Sequence, residues 1–205
     1  MTSDESARVA GRAPRQARGR ERRESIIDAA GQIVAAQGAD ALTLHTAARQ
    51  AGSSIGSMYH FFQGRDELLE ALRQRHRVAV AVMTQEAGAI PLERWRAMST
   101  REVIDRLFGP SVDYFGQHRD ALVLVRLDDN AVAAEFQALL GAIMAARLGE
   151  AAGARAAATL FAVCTGTQFF LRDVHFEGED AARSEIPRVL SAYLEELEHE
   201  AAGRN

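Results

Sequence analysis

Lysine is absent from this 205-residue chain, and all 24 basic residues are arginine. We attribute that to codon bias and not to function. There is one cysteine, Cys164, so no intramolecular disulfide can form. Prolines number four and no long polar tract occurs, which excludes a largely disordered chain and predicts an ordered, mostly helical one beyond the N-terminus. No apolar run approaches the ~20 residues of a membrane span, and no charged-then-apolar leader stands at the start. The expectation is a soluble cytoplasmic protein with no membrane partner. What is present is 47% hydrophobic content, enough for one large core or two small ones.

Acidic charge is also in short supply at one end. From Arg8 to Arg23 there are seven arginines against one acid, Glu21. Residues 1–75 carry a balance of +2, whereas residues 76–205 carry −6. The overall charge of −4 therefore hides a basic end on an acidic body. Such a molecule can present one face to nucleic acid and keep the other away. Taken alone, the basic end is equally a tail with no partner.

The densest local signal lies at Leu42–Leu68. Thr43 is a good N-cap for a short helix through Ala47, Ala48 and Ala51. Gly52 stops that helix by taking the left-handed conformation. Ser53 or Ser54 caps the next helix at once, and Arg65 opens a third. Two short helices joined by a glycine-containing turn form a helix-turn-helix signature. Upstream, Ile26, Ile27, Ala30, Ile33 and Val34 recur at helical spacing and predict a helix over 21–37, ended by Gly38. Arg20, Arg22 and Arg23 then fall in its first turns, where cations oppose the helix dipole and suggest a phosphate partner.

The pattern Leu42-Thr43, Ala48-Arg49, Ala51-Gly52, Ser54, Gly56-Ser57, Tyr59-His60, Phe62 and Arg65-Asp66-Glu67-Leu68 resembles the DNA-binding domain of the tetracycline-repressor (TetR) family. With Ile26, Ala29-Ala30, Ile33 and Gly38 the resemblance covers about residues 20–70. It implies an all-α fold with an N-terminal three-helix helix-turn-helix domain and a C-terminal helical ligand-binding and dimerisation domain. The boundaries we assign are a disordered basic arm at 1–19, the helix-turn-helix domain at 20–66 and the helical body at 67–202.

The resemblance implies phosphate contacts from Thr43, Ser57, Tyr59 and Arg65, and base reading by His45, with Thr46 adjacent. Ser54 and His60 add hydrogen-bonding groups. Ile55, where lysine is common in the family, can pack on a thymine methyl. The segment 53–62 has no Arg, Asn or Gln, so specificity leans on shape, methyl contacts and the arm. Met58, Phe61, Phe62, Leu42, Leu44 and Leu68 are expected in the core.

Downstream, periodicity predicts helices at 65–87, 92–98, from Ser99 or Thr100 to 115 with Pro110 kinking or breaking it, 120–127, 130 or 131–148, 154–176 and 182–200. His76 is expected to be a hydrogen-bonded residue between helices. The resemblance implies a small-molecule pocket in this body. The candidates to line it are Trp95, Phe108, Tyr114, His118, Arg126 and Gln168, with Asp113 a further polar group. The last two helices are implied to pair with their copies in a homodimer, or else they close the core within one chain.

No catalytic site is found. The six histidines show no three- or four-residue spacing that would place two metal ligands on one helix face. There is no phosphate-cradling glycine loop and no nucleophile elbow. Neither cofactor nor metal is expected. The leading function is a sequence-specific transcriptional regulator, a repressor released from a palindromic double-stranded DNA operator by a small apolar effector. The alternatives are a ligand-independent or architectural DNA-binding protein of the same fold, and an all-helical enzyme carrying the motif by accident.

Overall fold

The computed structural model describes residues 3–124, 130–173 and 179–203, with side chains over 16–124, 132–167 and 184–203. Among them there is no β-strand. The helices are α1 (Ser3–Gln37), α2 (Leu44–Gln50), α3 (Ile55–Phe61), α4 (Arg65–Gly88), α5 (Leu92–Ala97), α6 (Thr100–Gln117), α7 (Arg119–Leu124), α8 (Asn130–Leu148), α9 (Glu150–Asp173) and α10 (Glu179–Ala202), with a short 3₁₀ turn at Ala39–Ala41. None of the described helices is long and apolar enough to cross a membrane. The chain divides into two compact units, residues 1–74 and 75–205, the division falling inside α4.

In the first unit, α1 buries Ile26, Ile27, Ala30, Ile33 and Val34, the predicted stripe, and packs on α2. Leu42, Leu44, Met58, Phe62 and Leu68 are buried as expected, whereas Phe61 is half-buried, its ring edge-on to His60. One expectation is corrected. The helix does not begin near residue 21 after an irregular arm; the backbone is already helical at Ser3. Alanines 7, 10, 13 and 17 and the interleaved arginines are strong helix formers, and propensity needs no apolar face. Arg20, Arg22 and Arg23 therefore lie in mid-helix, and the dipole argument for a phosphate there lapses. Arg23 instead stacks 5.2 Å above the Phe62 ring and pairs with Glu24.

In the second unit, Trp95, Val103, Ile104, Phe108, Leu140, Ile143, Met144, Leu160, Leu190 and Leu194 form one buried core. Helix α6 starts at a capping box: the Ser99 hydroxyl accepts the Glu102 N–H, and Glu102 accepts the Ser99 N–H. Pro110 does not break it; α6 runs on to Gln117. The Arg106 carbonyl simply loses its usual helical donor. Helices α8 and α9 are joined by Gly149 alone, at φ +79°, a conformation that side chains rarely adopt. So short a link forces the two helices together. At Gly153 an added Cβ would lie 2.5 Å from the Cα and N of Ala145.

A buried ion pair fastens several elements of this unit. Arg147 on α8 donates to Glu198 on α10 and to the carbonyls of Trp95 and Met98, at the end of α5. Thr100, at the start of α6, donates to the same Glu198. Arg147 thus satisfies helix-end carbonyls that α5 cannot satisfy itself.

Candidate functional site

The helix-turn-helix is built from caps. Thr43 accepts the Thr46 N–H at 3.0 Å, and Thr46 Oγ1 accepts the Thr43 N–H at 2.9 Å. Helix α2 then closes on Gly52 at φ +58°, with Ser53 N–H donating to the Ala48 carbonyl and Gly52 N–H to the Arg49 carbonyl. This is a Schellman closure, and it sets the sharp turn. Ser54 caps α3 by accepting the Ser57 N–H. Gln50 on α2 donates to Gln32 on α1 at 2.6 Å.

Thr43, His45, Ser54, Tyr59 and His60 are exposed; Thr46, Ile55, Ser57 and Arg65 are half-buried. Tyr59 stands out at 58% exposure, unusually high for so large an apolar ring. On α2, the opposite face is buried through Leu44, Ala47 and Ala48, which leaves His45 outward. Arg49, one turn from His45 and also exposed, is a residue our sequence reading passed over; the four-residue spacing could have flagged it. Thr46 donates its hydroxyl to the Ala41 carbonyl at 3.1 Å, so its role is first to hold the turn.

Arg65 is placed differently from the sequence reading. Its guanidinium donates to the carbonyls of Leu42 and Ala39, both at 3.0 Å, and pairs with Asp66 and Asp40. The cation that begins α4 is thus held largely by its own chain, with its side chain still 37% exposed.

In the second unit, His76 is fully buried between α6 and α7. Its Nε2 donates to Asp120 at 2.9 Å, and its Nδ1 lies 2.7 Å from the Tyr114 hydroxyl. With a neutral ring, Nδ1 accepts the tyrosine proton; with an imidazolium, it donates. The His118 ring lies 4.4 Å from that of Tyr114, centroid to centroid. Burial alone would raise the Asp120 pKa, but the hydrogen bond and charge of His76, with the charge of His118, outweigh it and hold the carboxyl below its ordinary value. Burial, with the Asp120 charge, pushes the Tyr114 hydroxyl up. Asp120→Ala leaves a buried imidazole donor unsatisfied, a loss of about 1–3 kcal/mol at pH 7. A lowered folded pKa stabilises above the unfolded value and is lost as pH falls through the folded one. The gap between the two proteins in urea unfolding should therefore narrow once pH drops below the unfolded value of 3.8. A gap that stays constant down to pH 2 contradicts this.

The second unit also contains a cavity of about 90 Å³, lined mainly by apolar groups of α4, α6, α8 and α9. The expected lining residues are not there. Trp95 and Phe108 are core residues with no exposure; Phe108 packs behind Phe136, which does reach the cavity. Tyr114 and His118 belong to the His76 cluster. Arg126 and the Gln168 side chain lie outside the described residues. Asp113 is exposed and does not line the cavity. The residues found there instead include Arg77, Arg106, Phe161 and Cys164. Among the described residues, no group of three or more His, Cys, Asp or Glu could hold a metal ion.

A family described as "Bacterial regulatory proteins, tetR family" matches residues 26–72. The chain is 34% identical over 103 residues to the HTH-type transcriptional regulator TtgW of Pseudomonas putida, whose own function is uncharacterised. That match spans 49% of this chain and 74% of TtgW. The chain belongs to the TetR family. The HTH-type regulator SrpR of Pseudomonas putida is also 34% identical, over 47% of this chain and 45% of SrpR. Among solved structures, FadR of Bacillus subtilis in complex with stearoyl-CoA superposes with a TM-score of 0.57 at 16% identity, over 82% of this chain and 97% of FadR. That likeness speaks for the fold. This TetR-family protein is accordingly a DNA-binding transcriptional regulator, and its first unit is the helix-turn-helix.

Proposed function

We propose that this TetR-family regulator is a homodimeric repressor that leaves a palindromic operator when a small ligand enters its helical body. The observation that carries the reading is the outward face of the helix-turn-helix. There Tyr59 is 58% exposed beside exposed Ser54 and His60, on a helix that our sequence comparison aligns with DNA-reading helices. Thr43, Ser57, Tyr59 and Arg65 contact phosphates; His45, Thr46 and Ile55 face base edges, with Ser54 and His60 at the margin. Two such heads enter successive major grooves about 34–36 Å apart. Pairing through α9 and α10 is supported by Val163 and Val189, left 38% and 55% exposed, and by the exposed small residues Ala158, Ala162 and Gly166 along α9. Ligand response is supported by the apolar cavity and by the stearoyl-CoA held in the FadR structure.

Fluorescence anisotropy tests the reading, with DNA from upstream of the protein's own gene, a scrambled control and two salt concentrations. Tight binding to the upstream DNA alone is expected. Equal, salt-sensitive binding to both would instead favour an architectural protein. Tyr59→Phe removes one phosphate hydrogen bond and should weaken binding roughly two- to ten-fold on every sequence alike. Unchanged affinity would remove Tyr59 from the interface.

A further inference from the structure

We infer that the cavity of the helical body takes a small apolar monocarboxylate, its carboxylate met by Arg106 and Arg77. The inference rests on the proposed reading of that body as ligand-binding and names the chemistry of the ligand. The walls are apolar and partly aromatic, with Phe115, Phe136 and Phe161 among them. Against these stand two guanidinium groups, from α4 and α6, and no acidic residue among the described lining. A cationic ligand would meet two like charges and no counterion there, whereas an anion gains charge-assisted donors from both sides.

The other polar groups do not alter this balance. The Thr84 hydroxyl donates to the Val80 carbonyl and the Ser111 hydroxyl to the Phe108 carbonyl. Both hydrogens are committed, so these groups offer a ligand only acceptors. Burial raises the Cys164 thiol to about 11, so it stays neutral at physiological pH and places no negative charge on the wall. Glu102, the acid nearest Arg106 in sequence on α6 after Asp105, is engaged at the Ser99 cap, and Asp105 itself is held by Arg101. Arg77 has an interaction of its own within the protein and contributes through its charge and remaining donors. The volume restricts the ligand to a small body, since an apolar cavity of ~150 Å³ holds one benzene ring.

Calorimetric titration of the full-length protein with benzoate, benzyl alcohol and benzylammonium, matched in size and differing in charge, tests the inference. Benzoate is expected to bind at least ten-fold more tightly than benzyl alcohol, and benzylammonium the most weakly. Arg106→Gln and Arg77→Gln should each reduce benzoate affinity several-fold while leaving benzyl alcohol unchanged. The double variant should lose the preference. Arg106→Lys should keep most of it, which separates lost charge from lost folding. Equal binding of the three probes, preference for the cation, no binding of any probe, or a preference that survives in the double variant would each overturn the inference. The anisotropy assay run with benzoate separates the two readings. Arginine-dependent binding without any change in DNA affinity would preserve the ligand class and defeat the effector role.

Discussion

Replacing Gly153 with alanine is expected to cost about 3 kcal/mol and to lower the melting temperature by roughly 6–12 °C. Elsewhere in a helix the same change gains up to about 1 kcal/mol, because alanine is the better helix former. Here the new methyl would lie 2.5 Å from two backbone atoms of Ala145 and 2.7 Å from the Met144 carbonyl carbon. Backbone cannot rotate away as a side chain can, so α8 and α9 must separate. Separation is resisted by the single-residue link at Gly149, by Leu140, Ile143 and Met144 on α8, and by Ala156, Ala157 and Leu160 on α9, all buried. Gly141→Ala is the control. It lies on α8, and its Cβ would meet nothing within 4 Å. Circular-dichroism melts should show opposite signs for the two variants. A Gly153→Ala protein that melts at or above the parent would mean the crossing is looser than the structure has it.

The second large effect is at Arg147. Its guanidinium is 8% exposed and holds Glu198, itself 27% exposed, together with two carbonyls at the end of α5. Arg147→Met keeps the length and the packing of the stem but removes every donor. A buried carboxylate and two helix-end carbonyls then lose their partner. Breaking a buried pair from one side costs about 3–5 kcal/mol, and we expect the lower end, since Glu198 retains Thr100 and some solvent. Arg147→Lys should recover little, because one ammonium cannot span the carboxylate and both carbonyls. Adding Glu198→Gln to Arg147→Met should restore part of the loss by removing the stranded charge. Urea unfolding of the double-mutant cycle gives the coupling directly. A loss below about 0.5 kcal/mol for Arg147→Met, the size of an ordinary surface change, would contradict the clamp.

Local punctuation was readable from residues alone. Thr43, Gly52, Ser54 and Ser99 each satisfy or terminate a helix end through their own atoms, so their roles need no knowledge of what lies across the fold. Buried stripes were readable for the same reason, since Ile26, Ile33 and Leu68 repeat at the helical period. Partners were not. Periodicity says that Trp95 and Phe108 face inward; it cannot say whether they meet core or cavity, and they meet core. Nothing local marks Gly153 as different from Gly141, because the difference is the backbone of Ala145 on another helix. Arg65 was taken for a cation awaiting an anion because its acceptors, Ala39 and Leu42, are carbonyls, which a sequence does not display. The N-terminal helix was missed because a stripe was sought where propensity alone decides.

The Arg65 clasp has a mechanical meaning. One planar, five-donor group joins the first turn of α4 to both ends of the short 3₁₀ turn that leads into α2. A flexible strap of single bonds would leave play at that junction; a fork fixed on two carbonyls leaves almost none. Any rotation of the opening turn of α4 is therefore geared to the mouth of α2, and the Thr43 cap that begins α2 must follow it.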